Sequence, residues 1–170
     1  MRILSRQLRG SFGKFLNLIF YRKIPKKIYN FLSFNGFFEF NLDNKKIFFL
    51  NSRNAIANDI FYSGIFGNYE GKTLYLWYKF SKILDGCFLD IGAYSGIFSL
   101  VAGAGNQNAE IYAYEPHPNN FQLLSTNVEK NNFDNIYINN YGLLDKDGEL
   151  EFYNDGDNPS GFSYVKHKNI

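Results

Sequence analysis

Phe88-Leu89-Asp90-Ile91-Gly92-Ala93-Tyr94-Ser95-Gly96, followed at once by Ile97-Phe98-Ser99-Leu100-Val101-Ala102, is the stretch that decides the fold. Cys87-Phe88-Leu89 is a short apolar run of the kind a buried parallel strand needs, which also makes Cys87 a core side chain. The glycines mark a tight turn, and the apolar run after Gly96 opens a helix. Further on, Glu110-Ile111-Tyr112-Ala113-Tyr114 predicts a second strand. Residues 118–131 predict a second helix with Phe121, Leu124 and Val128 on one face, and Ile136-Tyr137-Ile138 a third strand. Leu150-Glu151-Phe152-Tyr153, beyond the turn Lys146-Asp147-Gly148, reads as an edge strand. Strands alternating with helices predict an α/β, doubly wound, mostly parallel sheet whose crossovers are right-handed.

In such sheets ligands bind beyond the carboxyl ends of the strands, near the first strand–helix turn. Gly92 lets the backbone approach a ligand where a Cβ would collide, and Gly96 permits close packing of the helix start. Asp90 sets a carboxylate beside that space. A dinucleotide site would show G-x-G-x-x-G wrapped on a pyrophosphate. Here Tyr94 takes the second glycine's place, the third glycine is missing, and no Lys or Arg stands in the turn. An acid just before the turn repels a pyrophosphate and suits a cationic amino group. S-adenosylmethionine (SAM) carries an ammonium, a sulfonium and no phosphate, so the charge pattern favours SAM over NAD.

Glu115 ends the second strand, 23 residues past Gly92. A carboxylate there can accept hydrogen bonds from both ribose hydroxyls, each charge-assisted bond contributing about 1.5–3 kcal/mol. Pro116 holds Glu115 extended and aims it off the strand tip.

Three blocks resemble the FkbM family of SAM-dependent methyltransferases. They are Asn68-Tyr69-Glu70; Leu89 to Gly96; and Tyr114-Glu115-Pro116-His117-Pro118 followed by Leu124, Asn127 and Asn131. Gly142-Leu143-Leu144-Asp145 with Gly148 is similar to the block after that family's third strand, and the likeness spans about half the chain. The resemblance implies a Rossmann-like class I methyltransferase that moves a methyl group from SAM to an oxygen acceptor, often a sugar hydroxyl on a glycan or related small molecule. It implies that Asp90, Gly92, Ala93 and Gly96 line the methionine end, that Glu115 with Pro116 holds the ribose, and that Gly142 and Leu143 lie near the adenine. Tyr94 stands where many members have Asn; its ring would cover the cofactor or pack on the helix. The family's next strand ends in an Asp-x-Glu-Gly block, and nothing after Tyr153 resembles it. The expectation is therefore a domain incomplete at its C-terminus. A remnant without activity and, less favoured, an NAD-binding oxidoreductase are the competing readings.

Methyl transfer to a hydroxyl needs in-line geometry and often a base. His117 is near enough to be considered, although an exposed histidine at a helix start is the commoner case. His117 and His167 lie 50 positions apart, so no metal site is expected. Asn131 reads as the cap of the second helix, and Asn154-Asp155-Gly156-Asp157-Asn158 as turn residues rather than a calcium loop. Ser160 and Ser163 read as ordinary loop.

The chain divides into an N-terminal extension, 1–68, and a SAM-binding domain, 69–170. Residues 1–30 hold Arg2, Arg6, Arg9, Lys14, Arg22, Lys23, Lys26 and Lys27 and no acid, which leaves 10 of the 18 basic residues against all 16 acids elsewhere. Residues 3–20 place Leu4, Leu8, Phe12, Phe15, Leu16 and Ile19 on one helical face. That face suits packing on the domain or a neighbour, the ordinary use of such a stripe, or docking on an anionic membrane. Lys26 and Lys27 after Pro25 read as a solvated connector. Phe37 to Phe40 and Ile47 to Leu50 flank Asp43-Asn44-Lys45-Lys46 and predict a hairpin; Tyr69 to Leu84 predicts a helix stopped at Asp85-Gly86. No signal peptide or spanning helix is expected from the apolar runs, and Cys87 is alone. A reducing, cytoplasmic location follows, with peripheral contact at the inner membrane face as the alternative use of the basic end. No nucleic-acid partner is expected.

Overall fold

The parallel strands form where the alternation predicts them. β3 (Cys87–Ile91), β4 (Glu110–Tyr114) and β5 (Ile136–Asn139) pair in that order, all parallel, with α5 (Ile97–Gly105) and α6 (Pro118–Asn131) as the crossovers. This is one half of a doubly wound, Rossmann-like sheet. The computed structural model describes residues 6–20, 25–29, 31–145, 147–148, 153–154 and 162–163.

Two right-handed crossovers stepping in the same direction put both helices on one face of the sheet. The burial pattern records this: Phe88, Ile111, Ala113 and Ile136 face α5 and are buried, whereas Leu89, Ile91 and Tyr137 on the opposite face are exposed. The expected fully buried strand is thus covered on one side only, and Cys87 is an exposed free thiol rather than a core side chain. Tyr112 and Tyr137 stack on that open face, their ring centres 5.0 Å apart.

Before the sheet come α1 (Arg6–Phe20), α2 (Lys26–Tyr29), the hairpin β1 (Asn35–Leu42) and β2 (Lys45–Ser52), α3 (Ala55–Ser63) and α4 (Gly71–Ile83). Lys26 and Lys27 belong to α2 instead of a connector. The hairpin turn is shorter than expected: Lys45 and Lys46 already pair with Leu42 and Asn41, leaving Asp43-Asn44 as the loop. Asp43, at φ 49°, has the left-handed backbone that short hairpin loops require. The loop is held by α4, since Tyr78 Oη donates to Asp43 Oδ2 at 2.7 Å and Lys82 pairs with the same oxygen. Those partners hold the Asp43 carboxyl below the usual carboxylate range. Lys45 Nζ donates to the Ala104 carbonyl at 2.8 Å, a cation on the last turn of α5.

α3 is not predicted by the sequence pattern. Its start is capped by Asn54, whose Oδ1 accepts from Ala57 N–H at 2.7 Å, and its end is stopped at Gly64. α4 begins at Gly71, two residues later than expected. β6 (Tyr153–Asn154) pairs antiparallel with β7 (Phe162–Ser163), so Tyr153 does not extend the parallel sheet; Leu150 to Phe152, Asp155 to Asn158 and Ser160 lie outside the described residues.

The core runs without a break from the hairpin (Phe38, Phe40, Leu42, Ile47, Phe49) through α3 and α4 to α5, α6 and the sheet. Its polar seam is formed by two asparagines of α6. Asn127 Oδ1 accepts from Leu50 N–H at 2.8 Å, and Asn127 Nδ2 donates to the Ser95 carbonyl at 2.8 Å. Asn131 Oδ1 accepts from Phe48 N–H at 2.8 Å, and its Nδ2 donates to the Phe48 carbonyl at 2.7 Å. Asn131 therefore serves the outer edge of β2 and does not cap α6. Asn132, in the left-handed conformation, does that. Replacing Asn127 by Ala leaves one buried N–H and one carbonyl without partners, at about 1–3 kcal/mol each. Urea unfolding of Asn127→Ala is expected to show a loss of about 2–4 kcal/mol; a loss below about 0.5 kcal/mol would mean that the seam is replaceable.

Candidate functional site

The turn after β3 is fixed by its own backbone. Gly92 and Ala93 N–H both donate to the Tyr114 carbonyl, at 2.9 and 3.0 Å, and Gly96 N–H donates to the Ala93 carbonyl at 2.7 Å. Gly92 and Gly96 have φ of 79° and 80°, which a glycine adopts without strain. At Gly96 a second reason applies, because an added Cβ would lie 2.5 Å from Leu124 Cδ1. Tyr94, at φ 52°, also has the left-handed backbone, which Asn tolerates better than Tyr. The turn is therefore held in a conformation that its tyrosine does not favour.

Glu115 supplies the restraint. It is only 5 % exposed and lies under the turn, where Oε2 accepts from Tyr94 N–H at 2.8 Å. Oε1 accepts from His117 N–H at 2.9 Å and from Asn120 Nδ2 at 3.5 Å. A carboxylate has about four acceptor positions, so Oε2 retains one. Pro116 follows, with Gly142 against it: a Cβ on Gly142 would stand 3.6 Å from Pro116 Cβ. Leu143 is exposed in the same loop after β5. Asn140 Nδ2 donates to the Glu115 carbonyl at 2.8 Å and ties that loop to the end of β4.

On the β3 side of the turn is a cavity of about 440 Å³, the size of a small-molecule site. Asp90, Gly92, Ala93 and Tyr94 line it, together with Tyr69, Glu70, Thr73, Trp77 and Phe98. Gly96, Glu115, Pro116, Gly142, Leu143 and His117 are not in its lining. The expected site residues thus form two groups, Asp90 to Tyr94 around the cavity and Glu115, Pro116, Gly142 and Leu143 beyond the turn. Asp90 Oδ2 accepts from Ser99 N–H at 3.0 Å and from Ser99 Oγ at 2.6 Å, leaving Oδ1 uncommitted. Burial pushes the Asp90 carboxyl above the usual range; the Ser99 bonds oppose this and the Glu115 charge adds to it.

The α4 side of the cavity is not among the expected site residues, although Tyr69 and Glu70 belong to a block that carries the resemblance. Glu70, at φ 39°, is the turn residue that starts α4 and brings the helix across the glycine turn. Tyr69 is pushed up to about 12 by burial and by the charges of Glu70 and Asp90, so its hydroxyl stays a donor. Trp77 Nε1 donates to the Phe98 carbonyl at 3.1 Å, and its ring packs edge-on against Phe88 and Phe98. The lining holds two carboxylates and no Lys, Arg or His. A second cavity, of about 480 Å³, lies at the opposite ends of the strands among Gln107, Asn108, Asn132 and Asn135. Among the described residues no group of three or more His, Cys, Asp or Glu is arranged to hold a metal ion. Nor is any described helix long and apolar enough to cross a membrane.

No protein-family model and no curated protein matches the chain. Solved structures do resemble it. A SAM-dependent methyltransferase from Agrobacterium tumefaciens aligns at 15% identity over 64% of this chain and 33% of its own, with a TM-score of 0.44. TYW2 of P. horikoshii, in complex with MeSAdo, aligns at 19% identity over 68% of this chain and 40% of its own, with a TM-score of 0.45. Coclaurine N-methyltransferase, bound to N-methylheliamine and SAH, aligns at 17% identity over 69% of this chain and 30% of its own, with a TM-score of 0.37. The chain spans 30–40% of the length of these three proteins.

Proposed function

We propose that the cavity beside the glycine turn binds the methionine end of SAM, and that the chain serves methyl transfer to an oxygen acceptor. The observation that carries this is the cavity's charge. Glu70 and Asp90 share an aromatic-walled space with no basic residue, and Asp90 keeps one oxygen uncommitted. A cationic ligand relieves that uncompensated charge, whereas a pyrophosphate meets it head-on. SAM offers an ammonium for the carboxylates and a sulfonium for the faces of Tyr69 and Trp77. The remaining acceptor position on Glu115 Oε2 suits a ribose hydroxyl, and the exposed Gly142-Leu143 loop beside Pro116 suits the adenine.

When bound, SAM would supply its S–CH₃ group to the acceptor hydroxyl in one substitution, with the hydroxyl proton passing to solvent and S-adenosylhomocysteine left as the product. Following the FkbM resemblance, the acceptor is a sugar hydroxyl on a glycan or related small molecule and not a nucleic acid. The location is a reducing one, in keeping with the exposed thiol of Cys87, and hence cytoplasmic.

Calorimetry on the chain should show heat on titration with SAM and none with NAD. Asp90→Asn, which keeps an acceptor for Ser99, should weaken SAM at least tenfold, about 1.4 kcal/mol; Glu115→Ala should do the same. Unchanged affinity in Asp90→Asn would remove the cavity from the site.

The same carboxylate gives a stability test that needs no ligand. Its folded pKa lies above the ordinary 3.8, so the unfolded chain loses this proton first. Stability falls as pH rises from the ordinary value through the folded one, and the deficit persists at neutral pH. Asp90→Asn should therefore melt higher than the parent at pH 7, with the gap closing in acid below both values. A variant that melts lower at pH 7 would show that Asp90 is satisfied without a ligand.

A further inference from the structure

α1 packs on the protein through the face that its sequence did not advertise. Gly10 sits against Phe34, where an added Cβ would lie 2.7 Å from Phe34 Cβ. Gly13 sits against Leu32 and Tyr62, and Asn17 Nδ2 donates to the Phe61 carbonyl at 3.1 Å. Of the apolar stripe, Leu16 turns inward against Tyr29, Leu32 and Tyr62. Phe12 and Phe15 point outward, 49 % and 56 % exposed, and Leu18 on the same side is 81 % exposed. A helix that spends its glycines on the core and shows two phenylalanines and a leucine to solvent is presenting them to something else.

The charge around the helix says what. Residues 1–30 carry eight cations and no anion, while the rest of the chain is net acidic. Lys14, within α1, and Lys27, just after it, are exposed, and the Lys14 ammonium is steadied 4.2 Å above the Phe34 ring. Aromatic and aliphatic side chains on one face, flanked by Lys and Arg, are what an amphipathic helix needs to lie in the headgroup region of an anionic bilayer. The acidic body is repelled by the same surface, so only one orientation is favoured. A self-complementary contact between two copies would instead bring two such basic segments together.

We propose that α1 docks the protein on an anionic membrane surface, with Phe12, Phe15 and Leu18 inserted among the headgroups and the flanking cations held over the lipid phosphates and carboxylates. The inference does not depend on the identity of the cofactor. It places any acceptor within reach of a bilayer, and so makes a lipid-linked one accessible.

The test is co-sedimentation of the whole chain with vesicles of phosphatidylcholine alone or with 30% phosphatidylserine, about the anionic share of a charged leaflet. The parent should bind the anionic vesicles at least tenfold better than the neutral ones and be released by about 0.5 M salt. The triple variant Phe12→Ser, Phe15→Ser, Leu18→Ser should lose at least tenfold in binding while melting like the parent, because the three side chains are exposed. Lys14→Glu with Lys27→Glu should lower binding to the anionic vesicles alone. Equal sedimentation of parent and triple variant would overturn the proposal. So would a parent that ignores both vesicles yet forms, by light scattering, a dimer that the triple variant abolishes, since the stripe would then belong to a second copy.

Discussion

Asn127 stands where three parts of the chain meet, and both ends of its carboxamide are committed. One end accepts from Leu50 of the hairpin and the other donates to Ser95 of the glycine turn. β2 pairs only with β1 among the described residues, and an unpaired strand edge buried against a helix would cost a row of desolvated groups. α6 answers with side chains: Asn127 and Asn131, one turn apart, replace the next strand's ladder at Leu50 and Phe48. The hairpin is thereby fixed to the helix that also supports the turn. Gly96 completes the arrangement, since its φ of 80° starts α5 and a Cβ there would press on Leu124 of that same helix.

The site inherits this rigidity. The turn is bonded from below by the Tyr114 carbonyl and by Glu115, and from behind by Asn127. Tyr94 can stay in a backbone conformation costly for a tyrosine because its N–H is held by a carboxylate that is itself anchored at the start of α6. Asp90 is the complement of this. It has Ser99 as a partner but no cation, and burial raises its pKa. Its Oδ2 serves the first turn of α5 through Ser99, while its Oδ1 stays open to the cavity, where no basic residue of the lining opposes the charge.

Much of this was legible in the residues. The period-two and helical patterns from Cys87 to Ile138, the glycines, and the acids at Asp90 and Glu115 gave the parallel order and the position of the turn, because those signals are local. The losses were long-range. Nothing near Asn127 or Asn131 in sequence reveals partners 77 and 83 residues away, so a helix-end Asn reads as a cap. Cys87 and Leu89 looked buried because a strand's own composition does not say how many faces are covered; that follows from the direction of both crossovers. α3 is not legible although Asn54 and Gly64 mark its ends, since the stretch between them is apolar without a clean stripe. Tyr69, Glu70 and Trp77 reach the cavity only because α4 crosses the turn, which no spacing predicts.

α1 shows the same limit in reverse. An apolar stripe is normally read as the buried face because apolar area gains from leaving water, and that rule presumes the alternative is water. Here the packed face is Gly10, Gly13, Leu16 and Asn17, and the close approach at Gly13 puts the helix backbone against Tyr62, whose hydroxyl donates to the Leu32 carbonyl at 2.9 Å. A phenylalanine in place of Gly13 would have nowhere to go. Small residues therefore fix which side of α1 faces the protein. Phe12, Phe15 and Leu18 are left on the other side, exposed and available to the second surface proposed above.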